Sequence, residues 1–250
     1  MRINNFLKIS VIIFSLLLFT KNAYVGPPPG VGVGSSINRF SSSTEKNTKI
    51  LFSVGTYSPS LNLLNNDLKY YGIPTLDSNN IYTFGIGSNK NNLIFFFSYW
   101  SAATRTLYFR ENLAFYILGF DMNIWRISKL FLEPYNKIFN LDLKFIARDI
   151  FATLRDENIT TSYYISCTAI TMDFGTGMEF EYFPMRENKF FSFSLGFDYI
   201  LFNIPILSFE VWDTNIPGYS VGDKYKDHTG KNISAETQGT IFKLGVNLYF

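Results

Sequence analysis

Cysteine and histidine are nearly absent from this chain: 250 residues contain one of each, Cys167 and His228. A lone cysteine excludes an intramolecular disulfide. Its position, far from the N-terminus, also excludes a lipoprotein anchored through a leader-adjacent thiol. A lone histidine removes most nucleophilic and metal chemistry, because an activated nucleophile needs a positioned base and a histidine-containing metal site usually takes more than one imidazole. His228 lies in DKYKDHTGK, a strongly polar stretch with only Thr229 as a nearby hydroxyl, and is expected to be a solvated loop residue. Asp213, Asn215, Asp223 and Asp227 do not have the spacing of a calcium loop. GIGSNK (Gly85–Lys90) has no helix after it and so is no phosphate cradle. The expectation is no catalytic residue, no metal ligand, no cofactor and no enzyme.

Long apolar runs are also missing after residue 20. The one run, Ile9–Thr20, comes after Arg2 and Lys8 and is shorter than the ~20 residues of a spanning helix. It reads as the core of a secretory signal peptide covering residues 1–23, with cleavage expected after Ala23 although Lys21 suits that site poorly. Removing it takes away Arg2, Lys8 and Lys21 and no acid, so the formal charge falls from +2 to −1. The basic excess belongs to the leader, and nothing points to nucleic acid. Residues 24–46, which include VGPPPGVGVGSS, are rich in Pro, Gly and Ser and read as an extended, flexible N-terminal segment, a plain linker in preference to a plug or tether.

What is abundant is aromatic surface: 27 Phe, 16 Tyr and 3 Trp, 18% of the chain. High apolar content without helix-length runs leaves the closed β-barrel as the membrane-spanning option, and such a barrel displays aromatics on its outer wall. Period-two alternation supports this reading. Ile50, Phe52 and Val54 oppose Ser53 and Gly55 in a strand at about 48–57; Tyr82, Phe84 and Ile86 oppose Thr83, Gly85 and Gly87 at about 80–88. A turn at 89–91 leads to 92–102, apolar on both faces. At about 112–126, Ala114, Tyr116, Leu118, Phe120, Met122 and Ile124 oppose Gly119, Asp121 and Asn123. The region 127–168 is ambiguous: Leu130 and Leu132 suggest one strand, and Leu141, Leu143, Phe145 and Ala147 against Asp142, Lys144 and Arg148 suggest another. About 168–183 and 189–202 alternate clearly, joined by a turn at 184–188, and 203–238 reads as a long polar loop. The first long connection, 58–79, carries a candidate surface helix capped by Ser60 and ended by Gly72.

The tail is the most specific element. In Gly239–Phe250, Phe242, Leu244, Val246, Leu248 and Phe250 form one row and Lys243, Gly245 and Asn247 the other. Lys243, Gly245, Leu248 and Phe250 form a polar–Gly–apolar–aromatic pattern. It resembles the C-terminal signal by which bacterial outer-membrane β-barrels are recognised and inserted. The chain over residues 47–250 therefore resembles a small bacterial outer-membrane β-barrel protein: all-β, antiparallel and up-and-down, of eight strands with ten as the alternative. The resemblance implies a monomer in outer-membrane lipid, handled by the barrel-assembly machinery, with external loops that meet an unidentified partner.

The inward residues Lys49, Glu179, Glu181, Asp198 and Lys243 fall on neighbouring strands once such a barrel closes. They are expected to pair across a lumen that side chains can fill at ~8 strands. The leading expectation is a structural or surface-interaction barrel with its lumen closed by ion pairs. The alternatives are a narrow channel for ions or small solutes, and a soluble secreted lipocalin-like barrel with its aromatic row turned inward. Inward glycines are expected to make room for larger neighbours or for wall curvature.

Overall fold

The computed structural model describes residues 48–88, 92–130, 138–184 and 190–250, all within one compact unit, Lys46–Phe250. The expected leader, the 24–46 segment, the 89–91 turn, most of the 184–188 turn and Leu132 lie outside the described residues. The strands are β1 (Thr48–Pro59), β2 (Asn79–Ser88), β3 (Leu93–Arg105), β4 (Phe109–Leu130), β5 (Ile138–Asn158), β6 (Tyr164–Phe183), β7 (Phe191–Thr214) and β8 (Gly239–Tyr249), with one helix, α1 (Asn62–Tyr70). Each strand pairs antiparallel with the next, and β8 returns to β1 from Lys49↔Tyr249 to Pro59↔Gly239, so the sheet closes without an edge. The chain is thus an eight-stranded antiparallel up-and-down barrel, and the ten-stranded alternative is excluded.

The apolar rows face outward. One register line runs nearly round the barrel: Phe180, Leu195, Leu244, Val54, Tyr82, Tyr99, Tyr116 and Phe151 are successive cross-strand partners. Most of these side chains are exposed. Three adjacent tyrosines end the apolar band on β2–β4, as in the aromatic girdle of a membrane barrel. The charged row faces in. A soluble lipocalin-like barrel needs the reverse, so that alternative is set aside.

The strands β4–β7 are longer than their alternation predicts, for a physical reason. Beyond Phe151 the outer face of β5 turns polar (Thr153, Arg155), while the inner face there is apolar (Ile150, Ala152, Leu154). The same inversion sets Leu113 and Phe115 inside and Arg110 and Asn112 outside on β4, and Ile165, Cys167 and Ala169 inside on β6. The outer ends of the strands are built like a soluble barrel, with the core within. The described residues of 127–148 accordingly belong to one strand pair: β4 runs on to Leu130, which faces Ile138 at the start of β5. The expected 103–111 loop shrinks to the 106–108 hairpin tip, and 203–214 is strand, not loop.

β-Bulges adjust this frame. A register shift between Asn123 and Trp125 leaves both Ile124 and Trp125 exposed and still turns Arg126 to the inside. Shifts between β6 and β7 at Ser166/Cys167 present Trp212 to the outer surface. Among the inward glycines, Gly119 shows the need for room most directly. A Cβ there would lie 2.7 Å from the Phe96 ring and 2.7 Å from the Ala147 carbonyl oxygen. Gly119→Val is expected to destabilise the barrel by about 1–3 kcal/mol through overpacking, read as a lower urea midpoint for the protein refolded in micelles; an unchanged midpoint would contradict this packing.

Candidate functional site in the barrel interior

The inward residues form three tiers. The first lies at the end of the barrel where β1 begins, and β6 supplies its two glutamates. Glu179 accepts from Lys49 of β1 (3.1 Å) and from Lys144 of β5 (2.7 Å). Lys144 also reaches Asp121 of β4 (3.2 Å), and Lys49 lies 3.5 Å from Glu181. Glu181 accepts further hydrogen bonds from the Ser192 hydroxyl, the Asn247 amide and the Tyr249 hydroxyl. Lys243 of β8 pairs with Asp198 of β7, and Arg126 pairs with Asp142 through two hydrogen bonds, at 2.6 and 2.8 Å. Lys144, Asp121, Asp142, Glu181 and Asp198 are almost completely buried. An isolated ion in such surroundings is costly, and each cation here faces at least one acid.

The second tier is a clamp. Arg148 donates through Nε and Nη2 to Asp173 Oδ2 (3.1 and 2.9 Å), and through Nη2 to the Tyr57 hydroxyl (2.7 Å). Tyr57 in turn donates to the Thr237 carbonyl, and the Thr237 hydroxyl donates to Asp173 Oδ1 (2.6 Å). Asn203 donates to the same Asp173 oxygen (2.9 Å). A loop residue, Thr237, is thereby fastened to β1, β5 and β6.

The third tier is apolar. Leu61, Leu64 and Leu68 of the α1 region, Ile73 and Leu76 after it, and Ile233 and Ala235 of the last long loop pack with Trp100, Phe115, Ile150 and Phe209. Trp100 stacks on Phe115 with ring centres 4.7 Å apart. The helix is therefore not on the surface, as its sequence suggested: its apolar side fills the barrel mouth. Nor does Ser60 cap it. Residue 61 at the N-cap makes no side-chain bond, and the Ser60 hydroxyl accepts from Asn62 instead. The first turn is served by Glu236, whose carboxylate accepts from the Leu63 N–H (3.0 Å), a favourable place for an anion. The other end agrees with expectation. Gly72 takes φ +71°, and the Ile73 N–H bonds back to the Leu68 carbonyl (2.8 Å).

His228 is an exposed loop residue, as its neighbours suggested, but it is also anchored. Its ring stacks on Tyr70 (4.0 Å between centres, 8° between planes), and both its backbone N–H and Nδ1 meet Asp67 Oδ1 (2.8 and 2.9 Å). It joins the last loop to α1. Nearby, burial and then the negative charges of Asp156 and Glu111 push the Tyr225 phenol well above its ordinary pKa, and Tyr225 points its hydroxyl at Asp156 (3.5 Å). Asp227 is held below its usual range, first by the Thr229 hydroxyl and then by the backbone N–H groups of Lys231 and Thr229. Cys167 is a buried wall residue on β6.

The five charges singled out from sequence, Lys49, Glu179, Glu181, Asp198 and Lys243, all lie on the inner wall. Lys49, Glu179 and Glu181 meet directly, and Asp198 and Lys243 form a neighbouring pair. Sequence reading did not single out Lys144, Asp121, Arg148 and Asp173 as lumen partners. Their signal was present, since Asp142, Lys144 and Arg148 alternate with an apolar row, but the position of β5 beside β6 was not established. Of the tail residues, Lys243 and Gly245 face in, and Leu248 and Phe250 face out.

No family model matches the chain, and no curated protein matches it. Among solved structures, Ail, the attachment invasion locus protein of Yersinia pestis, resembles it over 82% of this chain and 99% of that one, with 9% identity and a TM-score of 0.38. At so loose an overlap, the barrel assignment rests on the strand register itself. Replacing Glu179 with Ala leaves Lys49 with Glu181 alone and Lys144 with Asp121 alone. The expected loss is about 3–5 kcal/mol, the scale for breaking a buried pair, read as a urea midpoint well below that of the parent barrel. A loss within about 0.5 kcal/mol, as for an ordinary surface substitution, would contradict the network's weight.

Proposed function

We propose that the chain is an integral β-barrel of a bacterial outer membrane. Its lumen is closed, and its role is structural or one of surface interaction through the end of the barrel that protrudes from the apolar band. The observation that carries this reading is the inversion along the long strands, from apolar outside and charged inside to polar outside and apolar inside. A barrel with two such zones fits two solvents, lipid around one and water around the other. The helix α1 and the last loop then act as a lid over the paired charges.

Several expectations accompany this reading. The protein works as a monomer in outer-membrane lipid and performs no catalysis. The barrel-assembly machinery recognises it through Lys243, Gly245, Leu248 and Phe250. Its extracellular partner meets the protruding hairpin tips, where Leu107 and Tyr108 are exposed and the Tyr108 carbonyl accepts from the Ile159 N–H of the next tip (2.8 Å).

A narrow channel is the second reading. It is favoured by Asp121 Oδ1, Glu181 Oε2 and Asp198 Oδ1, buried oxygens that have no hydrogen-bond partner within the protein. Planar-bilayer recording separates the two. The closed barrel gives no resolved current steps, and Lys243→Ala adds none. Steady steps from the parent protein whose size changes in Lys243→Ala would overturn the closed-lumen reading in favour of the channel.

A further inference from the structure

We propose that the outer wall carries a binding site for the phosphate-bearing headgroup of an anionic membrane lipid, in a groove overlooked by Arg105, Arg110 and Arg155. The proposal rests on the membrane-barrel reading and extends it to a ligand.

The groove holds about 440 Å³. Its floor is made of small outward residues, Ala103, Ala114, Thr153 and Ser166, which leave a depression in a wall otherwise covered by aromatics. Tyr99 and Trp212 stand at its sides, and Arg155 reaches into it. Ser166 is only 2% exposed, and its hydroxyl has no hydrogen-bond partner in the protein although it lines the groove. A buried hydroxyl of this kind is costly unless a ligand or water completes it.

The charges above the floor point to an anion. Arg105 and Arg110 are direct cross-strand partners on the outer face, with Glu157 opposite Arg110 on its other side; the arginine pair is an arrangement of like charges that is unfavourable in a sheet. Arg155 lies on the next strand, opposite Asn112 and Ser166. Its guanidinium is held over the Tyr164 ring, 4.7 Å from the centre, which keeps it extended along the wall. Two acids share the area. Glu157 comes no nearer to Arg155 than 4.0 Å, and Asp213 accepts the Tyr164 hydroxyl (3.2 Å). Three cations over two acids leave a net positive patch. Arginine is the side chain best suited to phosphate, through its planar fork of donors.

Position identifies the occupant as a lipid. The groove begins at Tyr99, in the tyrosine line that ends the apolar band, and the arginines lie on its polar side. A lipid whose chains lie along Phe97, Tyr116 and Phe151 brings its phosphate to this height. The cradle of small residues and the side wall of Trp212 then take the glycerol or sugar portion. A free phosphate ion uses only the arginines and leaves the apolar approach unexplained.

The test is native mass spectrometry of the barrel released from nanodiscs of equimolar phosphatidylcholine and phosphatidylglycerol. The parent protein is expected to retain phosphatidylglycerol in preference. The preference should fall about fivefold for each of R105Q, R110Q and R155Q, the weight of a basic residue near an anionic surface. Lys69→Gln, which removes a positive charge from α1, should leave it unchanged. Equal retention of the two lipids overturns the proposal. So does a preference that survives the triple variant, or one lost equally with Lys69→Gln, or an inorganic phosphate adduct that replaces the lipid. The heat-dependent gel shift of each variant reports insertion separately: if it persists while lipid preference is absent, the headgroup site fails and the membrane barrel stands.

Discussion

A charge enclosed by eight strands has little water to solvate it, so it must find a partner of opposite sign across the lumen. That requirement couples the strands to one another. Glu179 of β6 draws Lys49 from β1 and Lys144 from β5, Lys144 brings in Asp121 of β4, and Asp198 of β7 holds Lys243 of β8. Glu181 adds the Ser192, Asn247 and Tyr249 side chains of β7 and β8. A slip of one residue in any of these pairings would carry a lysine or carboxylate to the outer face and strand its partner within. The network therefore favours this register over its neighbours, beyond whatever net stability each pair contributes, which for buried ion pairs is often small.

The second organising feature is the reversal of faces along β4, β5 and β6. Over the apolar band the wall is greasy outside and charged inside; past the tyrosine line it is polar outside and greasy inside. The upper interior must then be filled by apolar side chains. Eight strands alone leave the mouth open, and α1 with Ile73, Leu76, Ile233 and Ala235 fills it. The lid is tied down by polar contacts at its margins: Arg148 and Asp173 hold Thr237, Glu236 serves the first turn of α1, and Asp67 and Tyr70 hold His228. Interior and lid thus meet at Arg148, where the charged tier gives way to the apolar one.

Much of the barrel was legible where the outer face is apolar and the inner one polar. In β2, β8 and β6 from Ile170 onward every second residue has a single environment, so alternation fixes strand and face together. Legibility failed where the faces change roles. On β5 the apolar residues pass from odd to even positions between Ile146 and Phe151, which breaks a continuous strand into apparent fragments; β7 past Leu201 fails similarly, where bulges disturb the period. The helix was visible from Leu61, Leu64 and Leu68, but its burial was not, because the surface it covers comes from other strands. Ser60 was a sound local cap that lost to Glu236, 173 residues from its bonding partner Leu63. The exposure of His228 was legible but its anchoring was not: its polar neighbours in sequence say nothing of Tyr70 and Asp67, which reach it from α1. Partners far apart in sequence lie beyond periodicity and spacing.

The central claim is that the apolar rows face lipid and the charged rows face one another. It is tested most directly by expressing the chain in a Gram-negative host, isolating the outer-membrane fraction, and running it on SDS gels with and without boiling. The account predicts a band in that fraction that migrates differently before and after heating, because a closed barrel resists detergent until heat opens it. A soluble protein in the periplasmic fraction, with the same mobility boiled or unboiled, would contradict it and require the aromatic rows to form an interior instead of a wall.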